Sequence, residues 1–253
     1  TDASGGSSID LVSAAPLEVL SASAENFQQD VESLRMEMVY TMNIGGLVID
    51  ADMEMAFQAP DQMHMTMDIT GLGSYEILML GTDVYMNMPM QGWMVFSMDD
   101  LLADLGVDEL GVDAGSFQDV FSEHSFLDYE AIIRSLGGDV EDMGEETVDG
   151  DTYRHYRATL DFADLAAAFS DVFSVSDGLS LDEVSGPLTF DVWVDPESIL
   201  PYSLTVSGEI AFGVASLVFD ADMRIFGYNE PVEMPSAPED AASFADLLGG
   251  MFE

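Results

Sequence analysis

The chain has 253 residues, 48% of them hydrophobic, and carries 49 acidic residues against 5 basic ones, a formal net charge of −44. Such a charge repels nucleic acid, which we exclude as a partner, and it opposes the compact state unless salt screens it. The absence of cysteine excludes disulfides and thiolate chemistry within the chain. No apolar run approaches the roughly 18 residues that a membrane span needs.

The chain opens with a polar stretch and then a helical pattern. Residues 1–12 begin with TDASGGSS, which predicts a flexible tether in front of a single domain at 13–253. Apolar residues then recur every third or fourth position from Leu17 to Leu34, which predicts a helix. Pro16 suits the first turn of this helix.

Strict alternation replaces the helical pattern in the segments 36–44, 49–57 and 63–69. Methionine and other apolar residues occupy one set of alternating positions, and mostly polar or acidic residues occupy the other. Antiparallel strands with one buried face show this pattern. Shorter strands are predicted at 75–80, 83–88 and 93–97.

The second half mixes helices and strands. Short helices are predicted at 99–137, and the turn residues Asp149-Gly150 predict a hairpin between strands at about 140–148 and 153–160. Asp161 can cap a helix at 162–173. Three alternating strands follow, with the apolar positions Leu188, Phe190, Val192 and Val194, then Tyr202, Leu204 and Val206, then Leu217, Phe219, Ala221, Met223 and Ile225. Pro238 is predicted to start a last short helix.

The element order and several short motifs resemble the LolA-like superfamily, and within it the LppX/LprG-type envelope lipoproteins. The motifs are the N-terminal helix leading into Arg35-Met36-Glu37-Met38, the stretch from Asp149 through His155-Tyr156 to Leu160-Asp161, the stretch Leu188–Tyr202, and the segment from Tyr228 to Glu233. The resemblance implies an α+β fold: one large curved antiparallel sheet, a half-barrel of about nine to eleven strands, with helices across its concave face.

The same resemblance implies a non-enzymatic, extracytoplasmic protein at the cell surface or in the periplasm, which binds a lipid or an acylated molecule. Many members are anchored through an acylated N-terminal cysteine. A cysteine preceding Thr1 would make TDASGGSS the spacer to a membrane anchor.

Methionine, with 18 residues, gives the predicted apolar face its character. Because methionine is flexible and polarizable, a face rich in it suits acyl chains of several shapes. The expected groove consists of Met36, Met38, Tyr40, Met53, Met55, Phe57, Met63, Met65, Met67, Met79, Met86, Phe190, Val192, Leu204 and Phe219.

Two alternatives remain. The same fold with a filled core suits a structural or adhesive surface protein. Thioether ligands favour Cu(I), so Met63-His64-Met65 suggests a copper site, although a strand would direct His64 away from both methionines. Catalysis has little support, because the chain contains no HExxH, GxSxG or phosphate-binding motif. We therefore expect no catalytic residue, cofactor or defined metal site.

Overall fold

The structure, a computed structural model, describes residues 11, 13–97, 140–162, 184–212 and 215–243. These ranges contain one helix, α1 (Pro16–Asp30), and thirteen strands: β1 (Ser33–Ile44), β2 (Leu47–Gln58), β3 (Gln62–Ile69), β4 (Gly73–Leu80), β5 (Asp83–Met88), β6 (Gly92–Ser97), β7 (Val140–Val148), β8 (Asp151–Asp161), β9 (Val184–Ser185), β10 (Pro187–Val194), β11 (Pro201–Phe212), β12 (Ala215–Phe226) and β13 (Ala242–Ser243). The helix predicted at 99–137 and, apart from Phe162, the helix predicted at 162–173 lie outside the described residues, as does nearly all of the tether.

The strands follow one another in an open sheet in the order β13-β6-β5-β4-β3-β2-β1-β12-β11-β10-β8-β7, and β9 pairs with β11 beside this path. The sheet is antiparallel apart from β13, which runs parallel to β6. Eleven strands contain six residues or more, and β9 and β13 contain two each. The predicted fold class, α+β with one large antiparallel sheet, is therefore confirmed.

The described residues fall into two compact units. Unit 1 comprises 11, 13–31, 38–50 and the described part of 140–225, and unit 2 comprises 32–37, 51–97 and 226–243. Unit 1 holds α1 and the ladder from β7 through β8, β10 and β11 to β12. Unit 2 holds the ladder from β2 to β6. That residues 13–253 form a single domain stays a prediction.

Helix α1 begins at Pro16, as predicted, but ends before Leu34. The Ala15 amide donates a hydrogen bond to the Glu18 carboxylate (3.1 Å) at the helix start. At the other end Val31 is already extended, with φ −98° and ψ 111°. The Glu32 amide then donates to Asn229 Oδ1 at 2.7 Å, in the C-terminal segment. A tertiary contact thus draws the chain into β1, although its helical spacing continues.

Helix α1 covers part of unit 1, where it lies against β7 and β11. Its buried apolar residues follow helical spacing and include Val19, Leu20, Ala24 and Phe27. This stripe removes the apolar side of the helix from water, and packing of that kind supplies most of the stability of a helix of 15 residues.

The hairpin predicted at Asp149-Gly150 and the helix predicted from Pro238 have different outcomes. The β7–β8 hairpin forms at Asp149 and Gly150, whose φ angles of 55° and 100° suit the left-handed conformation that a tight hairpin turn requires. The helix predicted from Pro238 is wrong within the described residues, because Ala242–Ser243 pairs with β6 as a strand. Backbone pairing with an open strand edge competes there with the weak helix-start pattern.

Candidate binding face

Methionines form transverse rows across unit 2. In antiparallel pairs, directly opposed residues share one face of the sheet. The middle row, from β2 to β6, is Met55, Met65, Ile77, Met86 and Met94. The rows on either side are Phe57, Met63, Met79, Val84 and Phe96, and Met53, Met67 and Tyr75. We call these three rows the methionine face of unit 2.

Exposure on the methionine face changes along the strands. Met55, Phe57, Met63 and Met79 are buried, whereas Met53, Met65, Met67 and Met86 are partly exposed. Beyond them, Leu72 in the β3–β4 turn is 59% exposed. Most of the Phe57 row is therefore buried, whereas the side chains of the Met53 row are partly exposed.

Unit 1 has an apolar face of its own. The register places Tyr156, Val192, Leu204 and Met223 in one row from β8 to β12. Parallel to it run Ala158, Phe190, Val206 and Ala221, and then Leu160, Leu188, Gly208 and Phe219. We call these rows the apolar face of unit 1.

The expected groove residues divide between the two units. Those in unit 2 are Met36, Met53, Met55, Phe57, Met63, Met65, Met67, Met79 and Met86. Met36 is buried on β1, and the other eight residues belong to the rows of the methionine face. Those in unit 1 are Met38, Tyr40, Phe190, Val192, Leu204 and Phe219. Of these, Phe190, Val192, Leu204 and Phe219 lie on the apolar face of unit 1, and Met38 and Tyr40 are partly exposed on β1. That these residues hold a ligand stays a prediction.

A polar group interrupts the apolar face of unit 1 at its β7 edge, and sequence reasoning missed it. Asp142 lies opposite Tyr156, and Arg154 follows on the same face of β8. The Arg154 Nη2 atom donates a hydrogen bond to Asp142 Oδ2, and the Gly144 amide donates to Asp142 Oδ1 at 2.9 Å. Asp142, Arg154 and Tyr156 together are called the Tyr156 group. The pattern of alternating positions in 153–160 already placed Arg154 among apolar residues.

The environment of the Tyr156 group shifts two acidities in opposite directions. Burial raises the pKa of Tyr156 to about 12, with the Asp142 carboxylate adding to the effect and the Arg154 guanidinium opposing it. Burial alone would raise the pKa of Asp142, but the hydrogen bonds from Arg154 and the Gly144 amide outweigh it and lower that pKa. At neutral pH the group therefore contains a carboxylate, a guanidinium and an un-ionised hydroxyl.

The opposite face of unit 1, which we call its polar face, carries a cluster of polar and charged side chains around the buried His155. His155 Nε2 lies 2.6 Å from Asp191 Oδ1, and Nδ1 lies 3.1 Å from Glu146 Oε2. The indole of Trp193 stacks on the imidazole at 4.4 Å between ring centroids and donates to Glu146 at 2.9 Å. Arg157 completes this His155 cluster by donating to Asp191 at 2.7 Å. The alternating pattern placed His155 on this face, but the residue is only 8% exposed.

The spacing of the apolar residues predicted that Tyr202 shares a face with Leu204, and this prediction is wrong. The β10–β11 register shifts between Trp193 and Val194, so that β11 bulges at Tyr202. Tyr202 instead stacks on Tyr153 with 4.0 Å between ring centroids, on the polar face of unit 1. A β-bulge re-aims a side chain in this way, and the alternation of residue types does not reveal it.

Unit 2 also contains a concavity of about 380 Å³. Its lining includes Arg35, Glu37, Glu54, His64 and Phe226. Arg35 Nη2 donates to the Pro231 carbonyl oxygen at 3.2 Å, and His64 Nε2 lies 2.8 Å from Glu76 Oε1. Part of the polar lining therefore already contacts neighbours within unit 2.

The copper hypothesis fails at Met63-His64-Met65. His64 lies opposite Ala56 and Leu78, whereas Met63 and Met65 lie in the rows of the methionine face. The imidazole and the thioethers therefore project from opposite sides of β3. Among the described residues, no three His, Asp or Glu side chains are grouped to hold a metal ion. Nor does any helix in the described ranges have the length and hydropathy needed to cross a membrane.

Comparison with known proteins gives limited similarity. No protein-family model matches the chain. An uncharacterized 31.2 kDa protein of Streptomyces griseus, from the rplA-rplJ intergenic region, is 32% identical over 162 residues, covering 62% of this chain and 49% of that protein. The chain thus spans about half the length of this relative.

Two mycobacterial structures are similar to the chain at low identity. The lipoprotein LppX of Mycobacterium tuberculosis is 14% identical, covers 87% of this chain and 97% of its own, and superposes with a TM-score of 0.47. LprF of Mycobacterium bovis is 12% identical, covers 87% and 95%, and has a TM-score of 0.46. Proteins of the type that the sequence motifs resemble are thus among the similar structures. The fold described above rests on the strand order and registers of this chain.

Proposed function

We propose that the protein is a non-enzymatic carrier of the cell envelope that binds a lipid or an acylated molecule. An acyl chain lies against the methionine face of unit 2 or the apolar face of unit 1, each taken by itself. On the methionine face, the partly exposed Met53, Met65 and Met67 are its first contacts. The observation that carries this proposal is the methionine face, an ordered apolar surface on which Met53, Met65 and Met67 are partly exposed.

The chemistry of methionine supports a deformable binding surface over a rigid core. Leu, Ile and Val specify a core through their restricted rotamers, whereas methionine adapts to irregular partners. Burial of each methylene of an acyl chain contributes about 0.8 kcal/mol. Binding of this kind needs no bond to be made or broken.

The setting of the carrier is also part of the proposal. An extracytoplasmic location, at the cell surface or in the periplasm, follows from the resemblance to envelope lipoproteins. An acylated cysteine preceding Thr1 would attach the carrier to a membrane. The net charge of −44 disfavours direct binding to anionic lipid surfaces, so such an anchor would supply the membrane contact.

The test is native mass spectrometry of gently purified protein, followed by lipid extraction. The wild type is expected to carry stoichiometric lipid. The double variant Met53→Trp/Met65→Trp is expected to lose that lipid and keep its fold, because two indoles occupy the accessible part of the face. The control is Gln58→Trp/Gln62→Trp, which places two indoles on the same strands at a directly opposed pair on the other face. It should retain lipid.

The alternative is a structural or adhesive surface protein with a filled core. The burial of Met55, Phe57, Met63 and Met79 favours it, because these side chains already pack within the protein. In a filled core each tryptophan overpacks and typically costs about 1–3 kcal/mol. A destabilised double variant, together with a lipid-free wild type, would refute the carrier and support this alternative.

A further inference from the structure

The apolar face of unit 1 ends in a polar site at its β7 edge. One row crosses five strands in the order Asp142, Tyr156, Val192, Leu204 and Met223. Three of these five residues are apolar, and the polar ones belong to the Tyr156 group. This arrangement matches that of a lipid, because the apolar acyl chain of a lipid leads to a polar head group.

Two buried polar atoms in the Tyr156 group have no hydrogen-bond partner of good geometry within the described part of the chain, although the Arg154 guanidinium lies close enough to the Tyr156 oxygen to oppose the rise in the pKa of its hydroxyl. They are the Tyr156 hydroxyl, in a residue that is 1% exposed, and the Arg154 Nε atom. Buried polar atoms almost always have partners, because an unpaired one loses its hydrogen bonds to water without replacing them. These atoms point to a missing hydrogen-bond acceptor.

The charges of the group limit which acceptor fits. Arg154 is already paired with Asp142, so that the two charges offset each other. A second anion would meet the Asp142 carboxylate at close range, whereas an uncharged oxygen would meet only the two donors. The raised pKa of Tyr156, about 12, keeps its hydroxyl protonated and able to donate at neutral pH.

We propose that the Tyr156 hydroxyl and Arg154 Nε bind the carbonyl oxygen of an uncharged ester or amide head, whose acyl chain runs along Val192 and Leu204. This site rests on the proposed carrier function and defines the ligand more narrowly, as a neutral acyl ester or amide instead of a free fatty acid. Tyr156 serves as a specificity-determining residue, because it distinguishes an ester from an alkane with the same number of carbon atoms.

The experiment measures displacement of N-phenyl-1-naphthylamine by methyl dodecanoate, by tridecane and by dodecanoate. The wild type is expected to prefer the methyl ester. Tyr156→Phe should weaken ester binding about 2- to 12-fold, the loss of one hydrogen bond, and leave tridecane binding unchanged. Its melting temperature should stay equal or rise, because the substitution removes an unpaired buried hydroxyl.

The matched control is Tyr153→Phe, on the same strand but on the polar face of unit 1, where Tyr153 stacks on Tyr202. It should bind all three probes as the wild type does. Unchanged ester affinity in Tyr156→Phe, or a wild type that prefers dodecanoate, would overturn the head site and leave the carrier function standing. A lower melting temperature of Tyr156→Phe would equally overturn it, by showing that the hydroxyl is already satisfied. A wild type that binds no probe would refute the carrier function and the head site with it.

Discussion

Replacing Asp191 by alanine removes the carboxylate at the centre of the His155 cluster. Asp191 is 7% exposed and accepts contacts from His155 Nε2 at 2.6 Å and from Arg157 Nε and Nη2 at 2.7 and 3.2 Å. The substitution leaves His155 buried with Glu146 as its remaining carboxylate neighbour in the cluster. Arg157, whose side chain is 43% exposed, can turn to water instead.

The expected loss of stability follows from the contacts that Asp191 makes with His155 and with Arg157. The contact between His155 and Asp191 is a buried contact to a charged group and contributes about 1.5–3 kcal/mol. The contact between Arg157 and Asp191 is screened by solvent, because the Arg157 side chain is half exposed, so it contributes up to about 1 kcal/mol. The Asp191→Ala variant should therefore lose about 2–4 kcal/mol of unfolding free energy. For a chain of this size, that loss lowers the melting temperature by roughly 5–15 °C.

The assay is thermal and urea unfolding, followed by circular dichroism, with Asp222→Ala as the control. Asp222 is exposed and lies on the same transverse row, two strands away, opposite Thr205. Both substitutions remove one negative charge from a chain of net charge −44. If general repulsion controls stability, both variants should be equally stable or more stable than the wild type. Equal effects of the two substitutions would therefore refute the argument from the His155 cluster.

Two further predictions concern unit 1. Gly208→Ala should lower the free energy of unfolding in urea by about 1–3 kcal/mol, because the added Cβ would lie 2.6 Å from Leu188 Cδ2 and 2.8 Å from the Pro187 carbonyl oxygen. The control Ser207→Ala, on the other face, should be nearly neutral. A Gly208→Ala variant as stable as the wild type would contradict this packing. The lowered pKa of Asp142, below its ordinary 3.8, means that its ionised form stabilises the protein above about pH 4 and that this contribution is lost as the pH falls through the native pKa. The stability gap between wild type and Asp142→Asn should accordingly close on acidification, and a gap independent of pH would refute this assignment.

The alternation of apolar and polar residues was sufficient to predict most of the sheet. In segments such as 49–57 and 63–69, any one-residue slip of register would move every methionine to the polar side. The observed pairs Met53–Met67 and Met55–Met65 satisfy this constraint, and the short turn between the two strands selects this register among those that do. Asp149-Gly150 was equally informative, because few residues adopt the left-handed angles of a tight hairpin turn.

Predictions from local pattern were wrong where a distant segment changed the outcome. Helical spacing continues to Leu34, yet the contact between Glu32 and Asn229 begins a strand. Tyr202 has the spacing of an inward residue, yet the bulge turns it towards Tyr153. Neither partner lies within the sequence window from which local structure is inferred.

The sequence by itself determined the fold class, the order of the strands along the chain and the apolar character of one face, because these depend on periodicity and on turn residues. Only the tertiary structure decided which polar residues meet. Asp142 and Arg154 are 12 residues apart, and His155 and Asp191 are 36 apart. In a chain with 49 acidic residues, sequence gives no reason to choose one carboxylate over another as the partner of a given cation. Register and burial make that choice, since a cation removed from water is stable only beside the carboxylate that the adjacent strand brings opposite it.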